Sequence, residues 1–346
     1  MASASAVPET YELGGEDAKQ TLKRVGWGRL LKDSFMRFRT ADGFTNSRAI
    51  AHAAMLTAFP ALIAIVGIAS ALHVEGFRQV IEGTLRRLAP GQSSRLLQSA
   101  FRQGAQGGSA LVGGLIGVLI SGTFVMSVVE RGCNRAYGMI RDRKLGKKLL
   151  VGLGLNVSAG ILFALGFVML AAGSGISDGL TRAGASDTVS TIFNVLRWPL
   201  GLLCAFGALT LVYKLSPNRH QPGAGWLQAG TIMATALWFA LTALLAWYYS
   251  VNDSLGNTYG PLVGIIALLT WAYASGLALL FGIAFAAELE AVRAGVPGPR
   301  TFRRHNETVV DPQETKGLEE QRPMVATVPR MPGREAPDES QRPLSA

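Results

Sequence analysis

The chain has 346 residues, of which 49% are hydrophobic and only 16% charged, with 41 Gly and 15 Pro. Soluble globular domains carry about 25% charged residues, so the deficit argues for long stretches that never meet water. It excludes a secreted disulfide scaffold, a coiled coil and a mainly disordered chain, and it disfavours a soluble enzyme. The formal net charge of +10 would suit nucleic acid or a membrane surface, and where the charges lie favours the membrane.

From the N-terminus, residues 1–18 are polar and expected to be disordered. In the segment 19–44, Trp27, Leu31, Phe35 and Phe38 fall at spacings of 4, 4 and 3, one helical stripe. Lys23, Arg24, Arg29, Lys32, Arg37 and Arg39 surround it. This predicts a basic amphipathic helix, either lying in anionic headgroups or packed on the ends of a helix bundle.

Crossing about 30 Å of hydrocarbon takes roughly 20 residues of apolar helix. Residues 49–72, 103–129, 149–177, 224–252 and 255–287 contain no Asp, Glu, Lys or Arg. They predict spans at about 49–72, 108–130, 149–173, 226–249 and 262–287. A further candidate, 190–213, is interrupted by Arg197, and the 16 residues from Trp198 to Tyr213 are too few to cross alone. Residues 1–48 hold no signal-peptide core. Ala69-Ser70-Ala71 imitates a cleavage site, but the apolar run before it is too long and contains Pro60, so the first span is expected to stay.

Loop charge decides the doubtful span. With six crossings and the N-terminus inside, 26 of the 33 Lys and Arg lie in cytoplasmic segments and 6 in outer ones, a strong positive-inside bias. The expectation is an all-α, polytopic bundle of six transmembrane helices over 49–293, with both termini cytoplasmic. Phe77, Ile81, Leu85 and Leu88, then Pro90-Gly91, then Leu97 and Phe101 predict an outer helical hairpin between the first two spans. The composition of 296–346 predicts a disordered cytoplasmic tail. Cys133 and Cys204 are expected as free thiols.

His52, His73, His220 and His305 show no metal-ligand spacing, and no phosphate loop, nucleophile elbow or dinucleotide fingerprint occurs. No metal, cofactor or nucleic acid is expected, and no enzymatic activity. Arg197, within an apolar run, either snorkels outward or meets an anionic cargo or a carboxylate. Glu130 and Glu288 end the second and last spans; they are candidate proton or cation groups, or helix-end charges paired with Arg131, Arg135 and Arg293. His52 is a titratable group in the first span or a headgroup-level residue. Gly113 and Gly117 allow close approach of a helix from the same chain or from a second copy, a homo-oligomer. Trp226, Trp247, Tyr248 and Tyr249 are expected as interfacial anchors of the fifth span.

Split into halves of three spans, the chain places Pro60 and Pro199 at matching positions. Asn134 to Gly138 then matches Asn257 to Gly260, an arrangement that would suit an inverted repeat. With these residues assembled, the chain resembles the YihY/BrkB family of bacterial inner-membrane proteins, including its YhjD branch. The similar features are Thr57-Ala58-Phe59-Pro60, Asn134 with Tyr137, Tyr213 with Leu215, Pro217 and Asn218, then Tyr259-Gly260, Trp271 and Ala287-Glu288-Leu289. His52 and Ala53 stand where the family often has tyrosine, and Glu290 where asparagine is usual. The resemblance implies a six-span bacterial plasma-membrane protein. The family has carried a ribonuclease BN label, for which the ligands of a metal centre are missing here.

The expected function is that of a transporter or a handler of lipid or other envelope components. Cargo would enter between the first, second and fourth spans, and anionic membrane lipids would be partners. The alternative is a non-transporting scaffold for envelope proteins, acting through the outer hairpin and the tail.

Overall fold

The computed structural model describes residues 4–10, 13–71, 108–139, 142–172, 177, 186–252 and 262–296. These all belong to the first of two units into which the chain divides, 1–301 and 302–346. The expected outer hairpin, Tyr259, Gly260 and the tail beyond 296 lie outside the described residues.

Eight helices and no strands occur among the described residues: α1 Gly15–Val25, α2 Trp27–Thr40, α3 Gly43–Ala71, α4 Gly108–Ala136, α5 Leu145–Phe167, α6 Asp187–Leu215, α7 Ala224–Val251 and α8 Leu262–Arg293. A π turn, Val168–Ala172, extends α5. Six of the helices, α3 to α8, are long and apolar enough to cross a membrane. The doubtful fourth span is one of them: α6 runs unbroken through 29 residues that include Arg197 and Pro199. Within the spans, hydroxyls donate to carbonyls of their own helix, as Thr57 does to Ala53, Ser121 to Gly117 and Thr270 to Ile266. That satisfies them where no water is available.

The segment expected as one amphipathic helix over 19–44 is two helices. Gly26, at φ 84°, separates α1 from α2 in a left-handed conformation that glycine adopts without strain. Asp42 then turns the chain into α3 six residues ahead of the expected span start. The predicted stripe also divides. Trp27, Leu31 and Phe35 are exposed, whereas Phe38 turns inward with Leu30, Ser34 and Arg37. Residues 30, 34, 37 and 38 share the face packed on α8, so α2 rests on the bundle with one side and leaves the other bare.

Within the N-terminal segment expected to be disordered, residues 4–10 are packed. Ala4 and Val7 are buried, and the Val7 amide donates to the Tyr137 carbonyl at 3.2 Å. Gly138, at φ 72°, lies so close to Ala4 and Ala6 that a Cβ there would collide with their backbone. α1 packs on the start of α7, where Gly15 meets Gly225. As a result Trp226 is fully buried, not an interfacial anchor, while Trp247 and Tyr248 at the other end of α7 are exposed as expected.

The spans form a ring in the order α3, α4, α5, α6, α7, α8 and back to α3, with the α6–α7 contact the sparsest. α3 and α4 approach most closely. A Cβ on Gly114 would stand 2.5 Å from the Ala64 nitrogen, and one on Gly117 2.6 Å from the Pro60 Cβ. Gly113 faces open space. The in-chain partner of these glycines is therefore α3. Pro199, by contrast, is exposed, so the two prolines matched in the halves occupy unlike settings.

Burial is uneven along the spans. One end of the ring holds Cys133, Tyr137, Tyr213, Trp226, Leu227, Ile283, Phe285 and Leu289, all essentially without exposure. Towards the other end, α7 has no buried residue after Thr235 and α8 none before Ala272 among the described side chains. The first is the charged end, the second the far end.

Candidate functional site

Three buried ion pairs lie at the charged end. Arg37 of α2 donates from Nε to Glu288 of α8 at 2.6 Å, and neither side chain reaches solvent. Arg219, in the α6–α7 turn, donates to Glu290 at 2.6 Å with both almost fully buried. Arg143, ahead of α5, faces Glu130 of α4 at 3.0 Å. Each pair joins different segments, so together they tie α2, α4, α8 and the two connections around the ring. A buried charge is costly unless paired, and each of these arginines has a single carboxylate to itself.

The guanidinium groups also satisfy helix ends. Arg143 donates to the carbonyls of Leu215, Ser216 and Pro217 at 2.7–3.2 Å, completing the C-terminus of α6. Arg37 donates to the Ala136 carbonyl at the end of α4 and to Ser5. Arg219 donates to the carbonyls of Val7 and Pro8, and Thr10 donates its hydroxyl to the same Glu290 oxygen at 2.6 Å. Residues 5–10 therefore form a strap held across the charged end by the arginines. The remaining oxygens Oε1 of Glu288 and Oε2 of Glu290 have no hydrogen-bond partner among the described residues, whereas Ser216 and Gln221 lie against the Cys133 thiol and the Tyr137 phenol.

Asn134 and Tyr137 shape this end. Asn134 donates to Asp142 at 3.1 Å and accepts from the Asn218 amide at 2.7 Å, which fixes the turn containing Pro217. The Arg219 guanidinium stands 4.5 Å above the Tyr137 ring. Burial pushes the Tyr137 phenol well up from its ordinary range, with the negative charge of Glu290 adding to it. For Asp142, burial acts upwards, but hydrogen bonds from Lys148 and Asn134 outweigh it and hold the carboxyl below its usual range. Tyr213 donates to the Leu279 carbonyl at 2.7 Å, linking α6 to α8.

Glu130 and Glu288 are thus ion-paired, but with Arg143 and Arg37. Of the partners expected for them, Arg135 pairs with Asp42 and Arg293 with Asp17. His52 is exposed on α3. Arg197 lies in α6 away from the cluster, its guanidinium 5.7 Å from the exposed Trp198 ring, with no carboxylate partner among the described residues. Trp271 packs edge-on against Trp238, whose indole donates to Ser275 at 2.9 Å. Arg37, Arg143, Arg219 and Thr10 were not singled out as site residues by sequence. Arg37 was findable, because it falls on the inward face with Leu30 and Ser34. Both cysteines are free. Among the described residues no group of three or more His, Cys, Asp and Glu is placed to hold a metal ion.

A family model described as Virulence factor BrkB matches residues 34–305, a stretch that runs from α2 through α8 and takes in all three ion pairs. The chain belongs to the BrkB family. Its relatives include YfkH of Bacillus subtilis (strain 168), a protein named as ribonuclease-like, 28% identical over 260 residues that cover 73% of this chain and 92% of that one. The UPF0761 membrane protein of Alkalilimnicola ehrlichii is 23% identical over 82% of this chain and 65% of its own length. That of Alcanivorax borkumensis is 27% identical over 67% and 50%. The chain thus spans about half to two thirds of these two BrkB-family relatives. No solved structure matches it. Six apolar spans and these membrane-protein relatives make it a multi-pass bacterial membrane protein.

Proposed function

We propose that this BrkB-family chain transports or translocates an anionic lipid or another anionic envelope component, and that the structure is a state closed at the charged end. The single observation that carries the reading is the set of three buried Glu–Arg pairs strapped by residues 5–10, set against a far end where α7 and α8 bury nothing. Ion pairs between separate helices make a two-state element. Closed, each charge is paired; open, each is solvated, which offsets part of the cost of parting the core packed at the same end.

The Lys and Arg distribution supports a cytoplasmic position for the charged end. Arg197, on the far half of α6 with its guanidinium 5.7 Å from the Trp198 ring, is the cation that would meet an anionic group entering from outside. Cargo space bounded by the first, second and fourth spans would then lie inside the ring, since α6 stands across it from α3. The scaffold alternative rests on the outer hairpin and the tail, and no observation on the described residues favours it.

The test is transbilayer movement of tail-labelled phosphatidylglycerol in liposomes containing the full chain. Movement faster than in protein-free liposomes, and changed by Glu288→Gln, is expected. Rates equal to those of protein-free liposomes would remove lipid translocation.

A further inference from the structure

α2 has two faces with separate tasks. The inward one holds Leu30, Ser34, Arg37 and Phe38 against the bundle. Beside it Leu31 is 37% and Phe35 48% exposed, as is the outer side of Trp27 at 56%, whose ring also stacks on Phe285 of α8 at 6.2 Å, and exposed Lys32, Arg39 and Arg29, the last 3.7 Å from Asp33, flank them. Large apolar side chains bared in a row at helical spacing, flanked by cations, are not stable against bulk water.

This face continues into the spans. Phe35 meets Phe44 edge-on at 6.4 Å, and Phe44 opens an exposed stripe along α3: Phe44, Arg48, His52, Leu56, Phe59 and Ile63, at spacings of four, four, four, three and four. The last three are exposed on a helix long and apolar enough to cross a membrane, on the side away from α4 and α8, which suits a face turned to hydrocarbon. One turn and two turns nearer the charged end, the same stripe carries Arg48 and His52, at the level where a chain passes from hydrocarbon to headgroups. The exposed face of α2 and the exposed stripe of α3 are therefore one surface, whose polar part is rich in cations, Lys32, Arg39 and Arg48, with Asp33 and Asp42 taken up by Arg29 and Arg135.

We propose that α2 lies in the headgroup layer of the leaflet at the charged end, and that its occupant is anionic phospholipid. In that arrangement Trp27, Leu31 and Phe35 enter the acyl boundary, while Lys32, Arg39 and Arg48 hold lipid phosphates. Charge complementarity and continuity with the hydrocarbon-facing stripe of α3 identify the partner. Because Arg37 projects from the opposite face of the same helix to Glu288, the surface helix is mechanically joined to the ion-pair cluster. The inference stands whether or not the chain moves lipid.

The experiment uses the full chain with Leu31→Cys in a Cys204→Ala background, labelled with an environment-sensitive fluorophore and placed in nanodiscs. Buried Cys133 stays unlabelled. Brominated phosphatidylcholine, brominated phosphatidylglycerol and aqueous iodide are compared as quenchers. Expected are strong quenching by both lipids, weak quenching by iodide, and a preference for the anionic lipid that falls several-fold when Lys32, Arg39 and Arg48 are all changed to Gln. Quenching by iodide but not by brominated lipid would overturn the membrane-surface placement. An equal response to both lipids, unaffected by the triple change, would overturn the anionic partner. Thermal melting of the triple variant, whose changed side chains are all exposed, verifies that the fold is intact.

Discussion

Arg37 and Glu288 stand 2.6 Å apart, both without solvent exposure, although 251 positions separate them in the chain. The pair fixes a helix that precedes the first span to the end of the last one. Removing one partner leaves an uncompensated buried charge, which costs about 3–5 kcal/mol. Arg37→Met is expected to lower thermal stability of the detergent-purified protein by that order. Arg37→Met with Glu288→Met is expected to recover most of it, and a double variant no more stable than the single one would show that the pair is not the source.

Thr10 tests the strap. Its hydroxyl donates to the Glu290 oxygen that also receives Arg219, and a hydrogen bond to a charged group contributes about 1.5–3 kcal/mol. Thr10→Val is expected to lower stability by about that amount and to make residues 5–10 accessible to protease. Unchanged melting and unchanged proteolysis would show the strap to be dispensable.

Gly114 and Gly113 are adjacent and predict opposite outcomes. A methyl at Gly114 meets the Ala64 backbone, whereas at Gly113 it meets nothing. Gly114→Ala is expected to cost about 1–3 kcal/mol through forced separation of α3 and α4. Gly113→Ala is expected to be neutral or slightly stabilising, and both are read from melting curves.

The Asp142 carboxyl is held below its ordinary range by Lys148 and Asn134, despite burial acting the other way. A group with a depressed folded pKa contributes stability above its unfolded value and loses it as pH falls through the folded one. Wild type is therefore expected to lose stability on acidification below the usual aspartate range. Asp142→Asn should be less stable at neutral pH and flatter through the acid arm; parallel curves for the two proteins would contradict this.

Arg197→Ala is expected to lower phosphatidylglycerol movement several-fold in protein that still folds, as a retained cooperative melt shows, since its guanidinium meets no carboxylate among the described residues. Unchanged movement would remove Arg197 from the cargo path.

The six spans were legible because uncharged apolar runs and the placement of Lys and Arg both follow from membrane solvation. The doubtful fourth span was rescued by charge counting, and α6 carries Arg197 and Pro199 without a break. Partner choice within the charged end was not legible. Glu130 and Glu288 have arginines nearby in sequence, yet a buried carboxylate takes the arginine that packing brings into the core, here Arg143 and Arg37. Residues 4–10 gave no signal, because Arg37 and Arg219 hold Ser5, Val7 and Pro8 by backbone carbonyls, which every residue carries. Trp226 misled for a related reason. Aromatic residues at a span end usually sit at the interface, but the N-terminal helix covers this one.

Closure of the charged end is the central claim, and a distance across it tests that most directly. Spin labels at Lys147→Cys and Ala294→Cys in a Cys204→Ala background, both exposed and carried by segments on opposite sides of the ring, report it by double electron–electron resonance in nanodiscs. The account predicts one dominant short distance in otherwise wild-type protein and a second, longer population when Glu288→Gln is added. A single unchanged distribution in both would mean that the ion pairs are a fixed strut and not a gate.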